Sequence, residues 1–254
     1  MLLTKDELRS LVELTHQSPH TLLGMHPLGD QSGVVVRAFL PDAKKVEVQP
    51  VHEKDKPKFE LKRIPKTDVF EGVTKNAAAV YAYDLVITNH QGKTRRTRDA
   101  YSFLPTLGEA DLFLFGKGDE RKIYDKLGAQ LRTIDGVHGT SFAVWAPNAQ
   151  RISVVGDFNN WNGRFNPMRL LGASGVWEIF IPGVGVGAHY KFEIREAHGN
   201  IKLNTDPFGF FFEVAPKQAA IVWDTKKFKW TDDAWSERLI KPACGKHSSR
   251  LCVV

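Results

Sequence analysis

The chain has 254 residues, 42% hydrophobic and 25% charged, with a formal net charge of +6, the make-up of a soluble globular protein with room for one large domain or two ordinary ones. No apolar run approaches the roughly 18 residues that cross a bilayer, and the opening MLLTKDELRS turns charged at its fifth residue, so neither a membrane partner nor a secretory leader is expected. The excess positive charge does not mark a nucleic-acid binder: the densest basic run, KTRRTR at residues 93–98, has no recognised nucleic-acid motif beside it and reads first as a solvated strand or hairpin face, with phosphate binding as the weaker alternative.

A short helix comes first. Thr4 and Glu7 form a T-x-x-E capping box, and Leu8, Leu11 and Val12 follow at helical spacing. Pro19 limits its continuation, so the helix is placed within residues 1–18. His20 and His26 follow in PHTLLGMHP, where a structural, hydrogen-bonded role is expected ahead of a metal site.

A repeat then appears. GVVVRAFLPDAKKVEV begins at Gly33 and GTSFAVWAPNAQRISV at Gly139, an ungapped offset of 106 residues. The pair Leu-Gly precedes both, at residues 23–24 and 127–128. YAYDL at 81–85 lies over YKFEI at 190–194, and DAY at 99–101 over DPF at 206–208. A repeat of this length is a whole domain. Each copy alternates apolar and polar residues over short runs, as in WEIFIPG at 177–183 and HYKFEIRE at 189–196. Pro-Asp-Ala and Pro-Asn-Ala mark turns between the runs. The fold class expected is all-β: two tandem immunoglobulin-like β-sandwich domains behind the short N-terminal helix. The first sandwich is placed at 19–106, a linker with weak helical character at 107–122, the second sandwich at 123–228 and a tail at 229–254.

In the second copy one string is unusual. VVGDFNNWNG, at 154–163, sets two aromatics among turn-forming residues. An aromatic on a loop either folds back into the core or is held out for a ligand. Gly156, Asn159, Asn160 and Gly163 supply the turn, and Phe158 is expected to point inward. Trp145 and Trp177, on alternating strands, are expected in the core. Trp230 and Trp235 are expected to cover the sandwich or a neighbouring domain. In the first copy the corresponding stretch is VQPVHEKD at 48–55, without an aromatic, so that copy is expected to serve as a spacer or interface.

TLLGMHP, FLPDAKKVEV, DLFLFGKGDERKIYDKLGA, FAVWAPNAQRISVVGDFNNWNG, HYKFEI and TDPFGF together resemble the N-terminal region of bacterial 1,4-α-glucan (glycogen) branching enzymes, over roughly residues 1–239. The second copy looks like a carbohydrate-binding module of family 48, and the first like the extra, related N-terminal domain of the longer bacterial enzymes. The N-terminal modules of debranching enzymes are the runner-up resemblance, and the duplicated domain argues against them. The branching-enzyme resemblance implies an α-glucan partner. It makes Trp161 the leading binding residue, since the apolar C–H faces of a sugar match an indole face. Sealing a face against a neighbouring domain is the competing role for Trp161. Asn159 and Asn160 are candidates for bonding sugar hydroxyls or their own backbone. Lys191, in the Tyr-Lys-Phe strand, matches a lysine used by related glycogen-binding modules. The hairpin where those modules carry a second tryptophan reads HGNIKL at 198–203, so the clamp is incomplete and binding is expected to be weak.

In that family the chain runs on into a (β/α)8 barrel, with an aspartate nucleophile and a glutamate acid/base that act by retaining chemistry. A barrel takes at least about 200 residues, and none of its signatures occurs here. Catalytic residues, cofactors and metals are therefore expected to be none, and a separately encoded barrel is a conceivable partner. From about residue 239 the tail is foreign to the family. It holds both cysteines, Cys244 and Cys252, which leaves the body of the chain without a disulfide framework, as suits a cytoplasmic protein. A zinc site from Cys244, His247 and Cys252 is only weakly suggested. The function expected is non-catalytic glucan binding or positioning for a branching enzyme, or a free-standing glucan-binding or targeting protein.

Overall fold

A computed structural model describes residues 2–53, 55–77, 79–227 and 231. The segment with both cysteines, and Trp230 and Trp235, lie outside the described residues. Residues up to Trp223 form one compact unit, and those from Asp224 onward belong to a separate one. No helix among the described residues is long and apolar enough to cross a membrane.

Helix α1 (Lys5–Val12) starts as its capping box requires: the Glu7 N–H donates to Thr4 Oγ1 at 3.2 Å, and the Thr4 N–H donates to the Glu7 carboxylate at 2.8 Å. It buries Leu11 in a cluster with Leu3, Leu22, Leu23, Phe39, Ile64 and Val69. The helix is already over before Pro19, which instead opens a separate 3-10 turn at Pro19–Thr21.

Seven antiparallel strands follow: β1 (Gly24–Pro27), β2 (Val34–Phe39), β3 (Ala43–Pro50), β4 (Phe59–Arg63), β5 (Val69–Thr74), β6 (Tyr83–Asn89) and β7 (Thr94–Arg98). Their order is β1-β2-β5-β4-β3-β6-β7. The sheet folds over at β4, whose residues 59–61 pair with β3 and whose Lys62 and Arg63 pair with β5. Val34, Val36, Val46, Val48, Leu85 and Ile87 meet inside at the two-residue spacing of strands. Between the sandwiches, helix α2 (Glu109–Lys117) ends at Gly118, which takes the left-handed conformation of a C-cap.

The second sandwich has one sheet of β8 (Gly128–Ile134), β9 (Val137–Trp145), β11 (Arg169–Leu170) and β12 (Val176–Pro182), in the order β11-β12-β9-β8. Its other sheet holds β10 (Ala149–Gly156), β13 (His189–Glu196), β14 (Ile201–Asn204), β15 (Phe211–Phe212) and β16 (Ala220–Ile221). Phe142, Ile152, Val154, Trp177, Tyr190 and Phe192 fill the space between them. The all-β, two-sandwich expectation holds.

The repeat is physical as well as textual. β3 pairs with β6 as β10 pairs with β13, and both pairs carry an irregularity at their start, between Ala43 and Lys45 and between Ala149 and Arg151. Tyr83 donates to Asp99 at 2.5 Å and Tyr190 to Asp206 at 2.6 Å, and each aspartate also accepts the N–H two residues on. Gly24 and Gly128 lie so close to Tyr101 and Phe208 that a Cβ would stand 2.8 and 2.7 Å from their carbonyl oxygens. This corrects one equivalence. Pro50 faces Tyr83 as Gly156 faces Tyr190, so Tyr190 corresponds to Tyr83, not to Tyr81.

Candidate loop site on the second sandwich

The unusual string leaves the sheet at Gly156. A side chain there is impossible, because a Cβ would come within 2.2 Å of the His189 carbonyl oxygen. A 3-10 turn at Asp157–Asn159 follows, and then Asn160 and Trp161 both adopt left-handed backbone, with φ of 55° and 57°. Asparagine tolerates that region, whereas a bulky residue rarely occupies it.

Asn159 is not held out for a ligand. It is 7% exposed; its Oδ1 accepts the Gly156 N–H at 2.9 Å, and its Nδ2 donates to the Val154 carbonyl and to Asn166 Oδ1, both at 2.8 Å. All its groups are engaged in the loop, which corrects its expected role toward hydroxyls. Asn160, the next residue, is exposed, and its side-chain amide has no partner among the described residues. Phe158 turns inward as expected, its ring 6.0 Å from that of Phe142.

Trp161 is 39% exposed. Its N–H donates to the Gly156 carbonyl at 3.0 Å and its indole Nε1 donates to Asp157 Oδ1 at 3.1 Å. Asp157 Oδ2 in turn lies 2.9 Å from His189 Nδ1. The ring is therefore fixed by its edge, and its polar atom is already engaged. The outward face of β13 carries His189, Lys191 and Glu193, alternating with the buried Tyr190 and Phe192. The loop rests on that face: Asp157 on His189 at one end, and Gly163 on Glu193 at the other, where a Cβ would stand 2.1 Å from the carboxylate. Arg151, whose pKa burial lowers, pairs with Glu193 beneath it. Lys191 occupies the strand position between these two anchors and has no hydrogen-bond partner among the described residues. The fold thus brings Trp161 and Lys191 to one face, with Asn160 at the loop tip.

Sequence reading missed Asp157 and His189 as the loop's props; the signal was Asp157 ahead of the turn and the outward position of His189 on an alternating strand. It also missed the pair Phe211 and Trp223, stacked at 4.5 Å and both exposed. Three consecutive phenylalanines at 210–212, too many for one inward face of a strand, were the available sign. Two other expectations are corrected. Trp177 is fully buried, but Trp145 is 52% exposed: it ends β9 on the outer face, where it meets Phe115 of α2 at 6.1 Å and donates to the Ser174 carbonyl at 3.2 Å. His20 is half-buried, but both its ring nitrogens are buried without a hydrogen bond and the ring packs edge-on against Tyr101 at 4.9 Å; of the two histidines only His26 bonds, to the Leu23 carbonyl at 2.9 Å.

Residues 126–209 match the family described as Carbohydrate-binding module 48 (Isoamylase N-terminal domain), and residues 4–101 match the alpha-1,4-glucan branching enzyme GlgB, N-terminal domain. The 1,4-alpha-glucan branching enzyme GlgB of Myxococcus xanthus is 45% identical over 233 residues, which are 91% of this chain and 31% of that protein. The enzymes of the same name from Rubrobacter xylanophilus and a Synechocystis species are each 44% identical, covering 92% and 91% of this chain and 31% and 30% of their own length. The chain spans under a third of the length of the curated relatives it matches.

Proposed function

Since the chain corresponds to the N-terminal region of bacterial 1,4-alpha-glucan branching enzymes, we propose that it binds and positions α-glucan for such an enzyme and performs no transfer chemistry itself. The observation that carries this reading is Trp161. A bulky residue sits in left-handed backbone, exposed, with its edge fixed to Asp157. Strain of that kind persists where the surroundings over-determine it, and such positions cluster at ligand clamps. A ring locked by its edge leaves a flat face for the C–H surface of a glucose unit. Asn160 and Lys191 supply donors to its hydroxyls. One aromatic face adds on the order of 1 kcal/mol beyond area burial, so binding to a single site is weak, and a branched polymer strengthens it by avidity.

The test is migration of the purified chain through a native gel containing glycogen. Retention is expected, and Trp161→Ala is expected to run as in a glycogen-free gel while keeping its melting temperature. Equal retention of both proteins would sink the reading. A branching assay on amylose is expected to show no activity from the chain alone.

A second reading has its own support. The exposed stack of Phe211 on Trp223, beside exposed Phe210, Phe212 and Val214, gives this sandwich an apolar surface suited to a further protein domain. On that reading the surface seats a catalytic barrel, and the chain would co-purify with a branching-enzyme barrel supplied as a separate polypeptide, with Phe211→Ser abolishing the association.

A further inference from the structure

We propose that the first sandwich supplies the second wall of a glucan groove: the cleft between the two sandwiches continues the loop at 157–163 and takes the next part of an α-1,4-glucan chain. This rests on the reading of the loop given above.

The cleft measures about 480 Å³, within the range of about 300–1,000 Å³ usual for ligand sites. One wall comes from β6 and β7. Leu85 and Ile87 form its buried floor, and opposite them on β7 stand Thr97 and Arg95. The other wall comes from the second sandwich, with Phe158, Asn160, Phe165 and Asn166. Phe158 and Asn160 therefore belong to the loop and the cleft at once, and Trp161 is the next residue in the chain.

The chemistry of the walls suits a neutral polyhydroxyl chain. Apolar side chains make the floor. Four of the groups around it have free donors: among the described residues the side chains of Lys93 and Arg95, the Asn160 amide and the Asn166 Nδ2 have no hydrogen-bond partner, and Asp42 offers an acceptor. Ion pairing separates these groups from their neighbours: Arg96 and Arg98 are both held by Asp84, at 2.7 and 2.9 Å, and Arg98 lines the cleft with its charge already met, whereas Arg95 lines it without a partner among the described residues. An inward charge on an edge strand discourages unwanted strand pairing. That accounts for Arg95 by itself, but not for the Asn160 amide and the Asn166 Nδ2 set across the cleft from it without partners among the described residues. Two free cations against one free carboxylate leave a single net positive charge, too little to hold a polyanion, which favours hydroxyl recognition.

The experiment is a titration of the full chain with maltotriose and with maltoheptaose, following backbone amide signals of β7 and of residues 157–163 separately by NMR. Two variants act on the cleft alone: Lys93→Ala/Arg95→Ala removes donors, and Thr97→Trp fills it. Maltoheptaose is expected to shift both sets of signals in the unaltered chain, and to bind about tenfold more weakly to either variant, with signal dispersion retained. Maltoheptaose shifts confined to 157–163, or unchanged affinity in both variants, would overturn the cleft whatever the loop does. Shifts in β7 that survive Trp161→Ala would instead remove the loop and leave the cleft standing.

Discussion

At Trp161 the backbone works against the side chain. Left-handed backbone costs a non-glycine residue about 1–2 kcal/mol, and glycine is free of that cost. Trp161→Gly is therefore expected to melt no lower than Trp161→Ala, although glycine usually destabilises a folded segment. Both should lose glycogen retention. A Trp161→Gly melting temperature clearly below that of the alanine variant would mean that the strain is absent. Asn159 and Asn160 show why this level is hard to read from sequence. The two are identical and adjacent, yet one is buried with every group bonded and the other is exposed and free. Only the turn of the backbone between them separates the roles. His20 offers a second residue-scale test. Burial, then the charges of Arg169 and His26, lower its pKa to about 2, against about 6.5 in an unfolded chain. The unfolded state takes up the proton first, so the contribution of His20 to stability is whole above about pH 6.5 and falls as the pH drops toward 2, by up to about 1.4 kcal/mol per pH unit. Asp206 acts in the opposite sense: burial raises it to about 6, so the folded state binds its proton first, adding stability as the pH falls below about 6 toward the unfolded value of about 3.9. Comparing the chain with His20→Phe cancels the Asp206 contribution. The variant should gain on the unaltered chain as the pH is lowered from about 6.5 to about 4.5, and a constant difference between denaturation curves over that interval would refute it.

Among elements, the loop at 157–163 is held mainly by Asn159. Asn159→Ala removes three hydrogen bonds and leaves the buried Gly156 N–H without its acceptor. It should cost about 2–3 kcal/mol and weaken glycogen retention without touching Trp161. Full retention despite that loss of stability would show that the loop needs no lock. The repeated strands were the most legible part of the molecule, because Val34, Val36, Val46 and Val48 in one copy and their counterparts in the other follow the pleat. The register of the later strand was less so. Matching Tyr-x-Tyr to Tyr-x-Phe by eye put Tyr81 on Tyr190, while the true equivalence is fixed by which tyrosine reaches the aspartate sixteen residues on, Tyr83 to Asp99 and Tyr190 to Asp206. Trp145 was misplaced for a related reason. β9 is buried on both faces over most of its length, so alternation cannot say which face its last residue takes.

At the scale of the whole molecule, the sequence announced two sandwiches but not how firmly they are joined. The joint is made where the chain leaves the first sandwich and crosses the sheet of β9 and β12. Glu178, fully buried, accepts the Thr106 N–H at 2.7 Å and pairs with Arg169 at 3.4 Å, while Arg169 donates to the Phe103 carbonyl at 2.8 Å. Phe103 meets Phe180 edge-on at 4.6 Å. Tyr101, the residue that closes against Gly24 in the first sandwich, reaches the Pro167 carbonyl of the second at 3.4 Å. None of this is visible in the pattern of β12, where Glu178 reads as an ordinary outward polar residue. Buried charges at a joint make it brittle, because removing one partner strands the other. Glu178→Ala should cost about 3–5 kcal/mol by leaving the Arg169 guanidinium buried and unpaired. If the sandwiches were independent, that loss would fall on the second one, and calorimetry would separate two transitions. Because the joint belongs to both, the unaltered chain is expected to unfold in a single transition and the variant to lose that cooperativity as the first sandwich is released. A variant that still melts in one step, within about 1 kcal/mol of the unaltered chain, would mean that the charge pair contributes little to the joint. The same variant bears on the groove, since a cleft with one wall on each sandwich can hold a ligand only while the joint fixes the distance between them.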